Sequence, residues 1–241
     1  MEPVRRVSVF LPAFNEVKNL EGAVADIVWA ADGVLAEYEI LVVNDGSTDG
    51  TRELADRLAH ENPRVRALHQ PRNMGIAAAY ERALDEAKLD HFSFLAGDGE
   101  IARESVRSIL AAVCRADIVA PYHQNPRARQ LHRRFLTWAS TTLVNVLFGF
   151  SMHYYQGPCI YPVALARALP KTEGGFYFLT QMLIHALHAG YSCVEVGLTH
   201  VERTSGRSKA VSFKNILKAL RAIARVWWAI YVKRDTVARR A

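Results

Sequence analysis

The sequence predicts an α/β fold with a mainly parallel sheet flanked by helices. Through the first half of the chain, short apolar runs of strand length alternate with apolar residues at helical spacing. The loops that end the first two runs are dense in Pro, Asn, Asp, Gly, Ser and Thr, the chemistry of turns and helix starts. Half of the 241 residues are hydrophobic and only 22% are charged, so the chain can bury a full core, and it carries no repeat or low-complexity tract.

Taken in order, the strand-like runs are Val7–Leu11, Ile40–Val43, Val65–Leu68, Phe92–Leu95 and Ile118–Ala120. Between them, helical spacing covers Asn19–Trp29, Thr51–Leu58 (after the cap-like Ser47, Thr48 and Asp49), the alanine-rich Ala77–Ala87, and the amphipathic Arg103–Val113. Alternation of this kind makes parallel βαβ units, whose ligands bind at the carboxyl ends of the strands. Chemistry is therefore expected in three loops: Pro12-Ala13-Phe14-Asn15-Glu16, Asn44-Asp45-Gly46-Ser47-Thr48-Asp49-Gly50, and the segment after the fourth run, where Asp98 and Glu100 are spaced to reach one cation. Taken singly, each of these is also an ordinary turn.

Lys and Arg total 30 against 24 acids, giving a pI near 9.3. This balance suits phosphorylated ligands, an anionic membrane surface or nucleic acid. No nucleic-acid-binding motif is present, so nucleic acid is not expected as a partner. The excess gathers at Arg127–Arg134 and from Arg203 onward. Cys114, Cys159 and Cys193 form no CxxC pair or zinc spacing, which predicts a reducing setting. Arg5-Arg6 leads directly into a strand-like run rather than a signal peptide's apolar region. His185 and His188 have no third ligand beside them and read as packing or surface residues.

Four motifs in order and register resemble family 2 glycosyltransferases of the GT-A fold: Val9–Glu16, Val42–Thr51, Asn73-Met74-Gly75 and Gly97-Asp98-Gly99-Glu100. The resemblance continues through Gly157-Pro158-Cys159-Ile160-Tyr161, similar to that family's short turn before a helix. It ends at Arg203-Thr204-Ser205-Gly206-Arg207-Ser208-Lys209, similar to the Arg-x-x-Gly-x-Ser-Lys motif of the branch that uses dolichyl or other polyprenyl phosphates. It implies that Pro12, Ala13, Phe14, Glu16, Asp45, Asn73, Gly75 and Gly97 hold the nucleotide of a GDP- or UDP-sugar. It implies that Asp98 and Glu100 hold Mg²⁺ or Mn²⁺ against the diphosphate, and that Asp98, Arg203 and Lys209 serve catalysis. Where the family has Asp-x-Asp, this chain has Ala96-Gly97-Asp98, so the first acid is missing.

The acceptor is read from the residues. A hydroxyl acceptor needs a general base, yet Gly174–Met182, the helix region where the resemblance places one, has no acid. A phosphate acceptor needs cations instead. Arg134, Thr137, Arg203, Ser208 and Lys209 are the expected contacts to such a phosphate. Leu131–Phe150 has one apolar face (Phe135, Trp138, Thr142, Val146 among it) and a second face of Arg134, Thr137, Thr141 and Asn145. A membrane span, a buried core helix and an interfacial helix all fit this segment, and the adjacent arginines favour the interfacial one. Toward the C-terminus, Phe213, Ile216, Leu217, Leu220, Ala224, Trp227, Trp228 and Tyr231 form an apolar stripe beside Lys214, Lys218, Arg221 and Arg225, a pattern suited to an anionic membrane; a helix packed on the domain is the alternative.

The expected organisation is a nucleotide-sugar half (1–125), an acceptor half with an interface helix (126–211) and a C-terminal basic amphipathic helix (212–241). The expected activity is inverting transfer of a sugar from its nucleoside diphosphate to a polyprenyl (dolichyl or undecaprenyl) phosphate, by a peripheral protein at the cytoplasmic membrane face. Transfer to a hydroxyl of a glycan or glycolipid, and a non-catalytic membrane-binding relative, are the alternatives.

Overall fold

A computed structural model describes residues 4–95, 101–125, 131–172, 175–199, 213–234 and 237. Asp98, Glu100, Gly97, Arg203, Ser208 and Lys209 lie outside the described residues.

The chain runs β1 (Arg6–Ala13), α1 (Leu20–Ala31), β2 (Glu37–Asn44), α2 (Thr51–Glu61), β3 (Val65–His69), α3 (Ile76–Glu86), β4 (His91–Phe94), α4 (Arg103–Ala111), β5 (Ile118–His123), α5 (Leu131–Phe148), β6 (Ile160–Pro162), α6 (Val163–Ala168), α7 (Tyr177–His188), β7 (Cys193–Leu198) and α8 (Phe213–Tyr231). All five predicted strands and all four predicted helices of the first half are present. One seven-stranded sheet has the order β3-β2-β1-β4-β6-β5-β7. Pairing is parallel except at β6, which is antiparallel to both β4 and β5.

Strand alternation builds two cores, one on each face. In β1, Val7, Val9 and Leu11 point to the α1/α2/α4 side, while Phe10 points to the α3/α7 side. In β2, Ile40 and Val42 take the first side, and Leu41 and Val43 the second. Phe10 stacks on Phe92 and meets Tyr80 edge-on, with centroids 6.3 and 5.8 Å away. The central strands β1 and β2 are buried on both faces, which explains why they read as mainly apolar runs.

Three elements escaped the sequence reading. β6 is three residues long and occupies what reads as a turn. β7 is an edge strand whose residues are mostly half-buried. The helix directly after Gly157–Tyr161 is α6; the acid-free segment ending at Met182 leads instead into α7, the next helix along. β2 starts three residues before Ile40, because Glu39 sits inside it as a buried carboxylate that accepts from Ser8 Oγ (2.7 Å), Lys88 N (2.8 Å) and Arg66 (2.9 Å).

Candidate active site at the carboxyl edge

β2 and β3 lie on one side of β1, and β4 lies on the other. The winding therefore reverses between β1 and β4, and the crevice at that reversal is where open α/β sheets bind ligands. Leu95 N donates to Phe10 O at 3.0 Å, so the chain enters segment 96–100 beside the end of β1. On the exit side, Ala102 N donates to Thr199 O (3.1 Å), and Thr199 N donates to Ser105 Oγ (3.0 Å). Gln124 N donates to Leu198 O (2.9 Å). The described residues flanking the Asp98 segment, the Arg127 cluster and the Arg203–Lys209 motif thus converge on one corner of the sheet.

The three loops after β1, β2 and β3 form one hydrogen-bonded unit. Asn15 N donates to Ser47 Oγ (3.0 Å), and Thr48 N donates back to Asn15 Oδ1 (2.9 Å). Asn15 is held at φ 56°, a left-handed conformation that Asn tolerates. Glu16 N donates to Thr51 Oγ1 (2.9 Å) and Val17 N to Asp49 Oδ2 (3.3 Å). Burial works against the Asp49 charge, but hydrogen bonds from Thr51 and Val17 outweigh it and hold the carboxyl below its ordinary value. Gly46 has φ 71°, and a Cβ there would meet the Arg72–Asn73 backbone, so only glycine lets the second and third loops touch.

Asp45 is the junction of this unit. Only 5% exposed, it accepts from Met74 N (2.7 Å) and Gly75 N (2.9 Å). The Gln70 amide, oriented with its nitrogen toward Asp45 Oδ1 (3.0 Å) and its oxygen toward Ala79 N (3.1 Å), supplies a third donor. Three of about four acceptor positions are therefore occupied within the protein. Next to it, Asn44 Oδ1 accepts from Ser47 N (3.0 Å), and Asn44 Nδ2 faces His69 Nδ1 (3.3 Å), whose Nε2 faces Asp56 (2.9 Å). The donor on Asn44 makes Nδ1 the acceptor and places the ring proton on Nε2.

The other expected nucleotide residues that are described gather at the same edge. Pro12 and Glu16 are half-buried, Phe14 and Asn73 are exposed, and Gly75 has φ 87°. Ala13 is buried, and its carbonyl accepts from Asp45 N (2.9 Å), so it shapes the loop through its backbone. Glu16 accepts from Asn19 Nδ2 at 2.7 Å. The roles of Asn44, His69, Gln70 and Asp56 were not read from sequence. Asn44 stood within a quoted motif, but nothing local tied it to the others.

Beyond the end of β5 lies a groove walled by Arg134, Thr137, Trp138 and Thr141 of α5 together with Tyr122, His123 and Tyr154. Arg134 and Thr137 thus share one wall, as expected, and none of the described lining residues is a carboxylate. His123 packs on Tyr154 (4.5 Å) and Tyr122 on His153 (4.8 Å). His153 is fixed by Glu195 through its backbone N and its Nδ1, both at 2.8 Å. Asn145 lines the same groove, and its amide is bonded within the protein, to Met152 N and O and to Tyr155 OH, from which it accepts. Along α7, the described part of the acid-free segment offers Thr180 and Gln181, and Gln181 is bound to Thr172. No metal-binding cluster occurs among the described residues.

The sequence model of Glycosyl transferase family 2 matches residues 8–163. The chain is 32% identical to the polyprenol monophosphomannose synthase of Mycolicibacterium smegmatis, over 98% of this chain and 91% of that one. It is 29% identical to the undecaprenyl-phosphate mannosyltransferase of Micrococcus luteus, over 85% and 87%. Among solved structures, the glucosyl-3-phosphoglycerate synthase of Mycobacterium tuberculosis, in complex with Mg²⁺ and UDP, superposes with a TM-score of 0.67 at 20% identity, covering 91% of this chain and 80% of that one. The chain belongs to glycosyl transferase family 2, and its sheet is that of the GT-A fold. It is a glycosyltransferase.

Proposed function

We propose that the protein transfers a sugar, with inversion, from a GDP- or UDP-sugar to a polyprenyl phosphate, working as a peripheral protein on the cytoplasmic face of a membrane. The observation that carries this reading is the acceptor side of the cleft: Arg134 and Thr137 beside aromatic walls, with no carboxylate among the described lining residues. A hydroxyl acceptor must lose a proton to a base. A phosphate acceptor arrives ionised and needs only a cation to hold it.

In this reading the loops around Asp45 fix the nucleoside, and Asp98 and Glu100 hold Mg²⁺ or Mn²⁺ on the diphosphate. Two carboxylates fit such a cation, since it prefers oxygen donors and takes others from the substrate. The cation supplies neutralisation of the departing charge. Arg134, Thr137, Arg203, Ser208 and Lys209 position the acceptor phosphate. One of its oxygens bonds to the sugar's anomeric carbon from the face opposite the diphosphate, whose bond to that carbon breaks. No proton is transferred.

Support for a peripheral position comes from surface chemistry. On α5, Phe135, Trp138 and Val146 are exposed while Val144 and Phe148 are buried, as the interfacial reading requires. No helix of the described residues is long and apolar enough to cross a membrane.

The test is incubation with a panel of GDP- and UDP-sugars, Mg²⁺ or Mn²⁺ and a short polyprenyl phosphate. The expected product is a lipid-linked sugar phosphodiester, lost when the metal is chelated. Asp98→Ala should lower turnover more than about 100-fold, beyond the effect typical of a mere outer-shell partner, with an unchanged melting temperature. Product only with a hydroxyl acceptor, or full activity of Asp98→Ala, overturns the reading.

A further inference from the structure

A second cleft lies beside α8. Arg225, Trp228, Ala229 and Lys233 form one side, and Thr172 and His185 line the other, from the α6–α7 turn and α7. His185 is 4% exposed and Gln181, beside it, 5%, so the cleft has a polar floor built into the core. Among its described lining residues there are two cations and no carboxylate.

The packing of α8 gives this cleft its orientation. Ala222, Ile223, Val226 and Ile230 are buried against the domain. Leu217, Leu220, Trp227, Trp228 and Tyr231 are exposed on another face, between 37% and 53%. Successive residues turn by about 100° along a helix, so Arg225 lies between the exposed apolar face and the cleft. Trp228 belongs to both. An apolar face with aromatic residues, bordered by cations, is the pattern of a helix lying at the headgroup level of a bilayer.

We propose that this cleft binds the phosphodiester headgroup of an anionic phospholipid of the membrane on which the protein sits, a site distinct from that of the acceptor. Arg225 and Lys233 meet the phosphate, and Trp228 covers the glycerol end. The proposal rests on the peripheral membrane reading given above, and it adds a defined, saturable site to what is otherwise diffuse attraction.

The experiment measures partition of the full chain onto vesicles of phosphatidylcholine with and without phosphatidylglycerol. Arg225→Ala/Lys233→Ala should weaken binding to the anionic vesicles by about tenfold or more, following the usual contribution of a basic residue near such a surface. Arg52→Ala/Arg115→Ala removes the same charge elsewhere and should weaken it less than about threefold. The deciding variant is Ala229→Phe, which narrows the cleft between Arg225 and Lys233 without altering charge and should also lose about tenfold. Wild-type binding with no loss in Ala229→Phe overturns the headgroup site while leaving the membrane reading intact. No binding of the wild type to either vesicle overturns both. Displacement from the vesicles by millimolar inorganic phosphate at constant ionic strength shows a free-phosphate site and overturns the lipid assignment.

Discussion

At the scale of single residues, Asp45 shows how a motif acidic group works twice. Its two oxygens receive Met74 N, Gly75 N and the Gln70 amide, so the carboxylate holds the third loop against the second before any ligand arrives. Asp45→Asn places an NH₂ group against one of those backbone donors. A buried donor left without its acceptor costs about 1–3 kcal/mol. The expected outcome is a melting temperature several degrees lower and about tenfold or more weaker nucleotide binding by calorimetry, the loss of pre-organisation carrying the second effect. Wild-type nucleotide affinity in this variant would mean that the loops are held without Asp45. That Asp45 stands in a loop at the carboxyl edge of the sheet was legible in the sequence, because it follows a strand-like run in a motif in register with three others. Met74 and Gly75, which donate to it, stood in another of the four motifs, but Gln70 is brought to it by the β2–β3 pairing and no local pattern marks it.

Among elements, the first half was legible for a physical reason: strands buried on both faces give apolar runs that need no context. β6 and β7 failed that test. β6 has three residues, and its pairing with both β4 and β5 is a property of the sheet. β7 is partly wet, and its Glu195 is occupied by His153. β2 shows the opposite case, a strand whose start is hidden by a charge. Desolvation pushes the Glu39 carboxyl up, but hydrogen bonds from Ser8 and Lys88 and the ion pair with Arg66 outweigh it and hold the group below its ordinary value. A carboxyl depressed on folding stabilises the fold above its unfolded value, near 4.3, and that stability is lost as pH falls through the folded value. The urea midpoint should therefore drop as pH is lowered below about 4.3. Glu39→Gln should cost about 1–3 kcal/mol at pH 7 and show a shallower acid decline. Parallel acid declines in the two proteins would remove Glu39 from the cause.

For the whole molecule, the sequence showed that α8 is amphipathic but not which face packs on the domain. The helix carries two apolar faces, and tertiary contact alone chose Ala222, Ile223, Val226 and Ile230 for the core. The face left outside is the stripe read from the sequence. Together with a net charge of +6, this gives two attractions to an anionic bilayer that respond differently to salt. The Coulombic part shrinks as the Debye length falls from about 10 Å at 0.1 M to about 3 Å at 1 M. Burial of Leu220 and Trp227 in the interface is not screened, and scales with apolar area at roughly 25 cal/mol per Å². Wild-type protein on phosphatidylglycerol vesicles should therefore keep a bound fraction at high salt. Leu220→Ser/Trp227→Ser alters no charge and trims the exposed face, with Trp227 also packing on Tyr231, so it should stay folded at the assay temperature, bind at low salt and release as salt rises. Equal salt resistance in the variant and the wild type would place that face of α8 away from the membrane and leave electrostatics as the whole attraction.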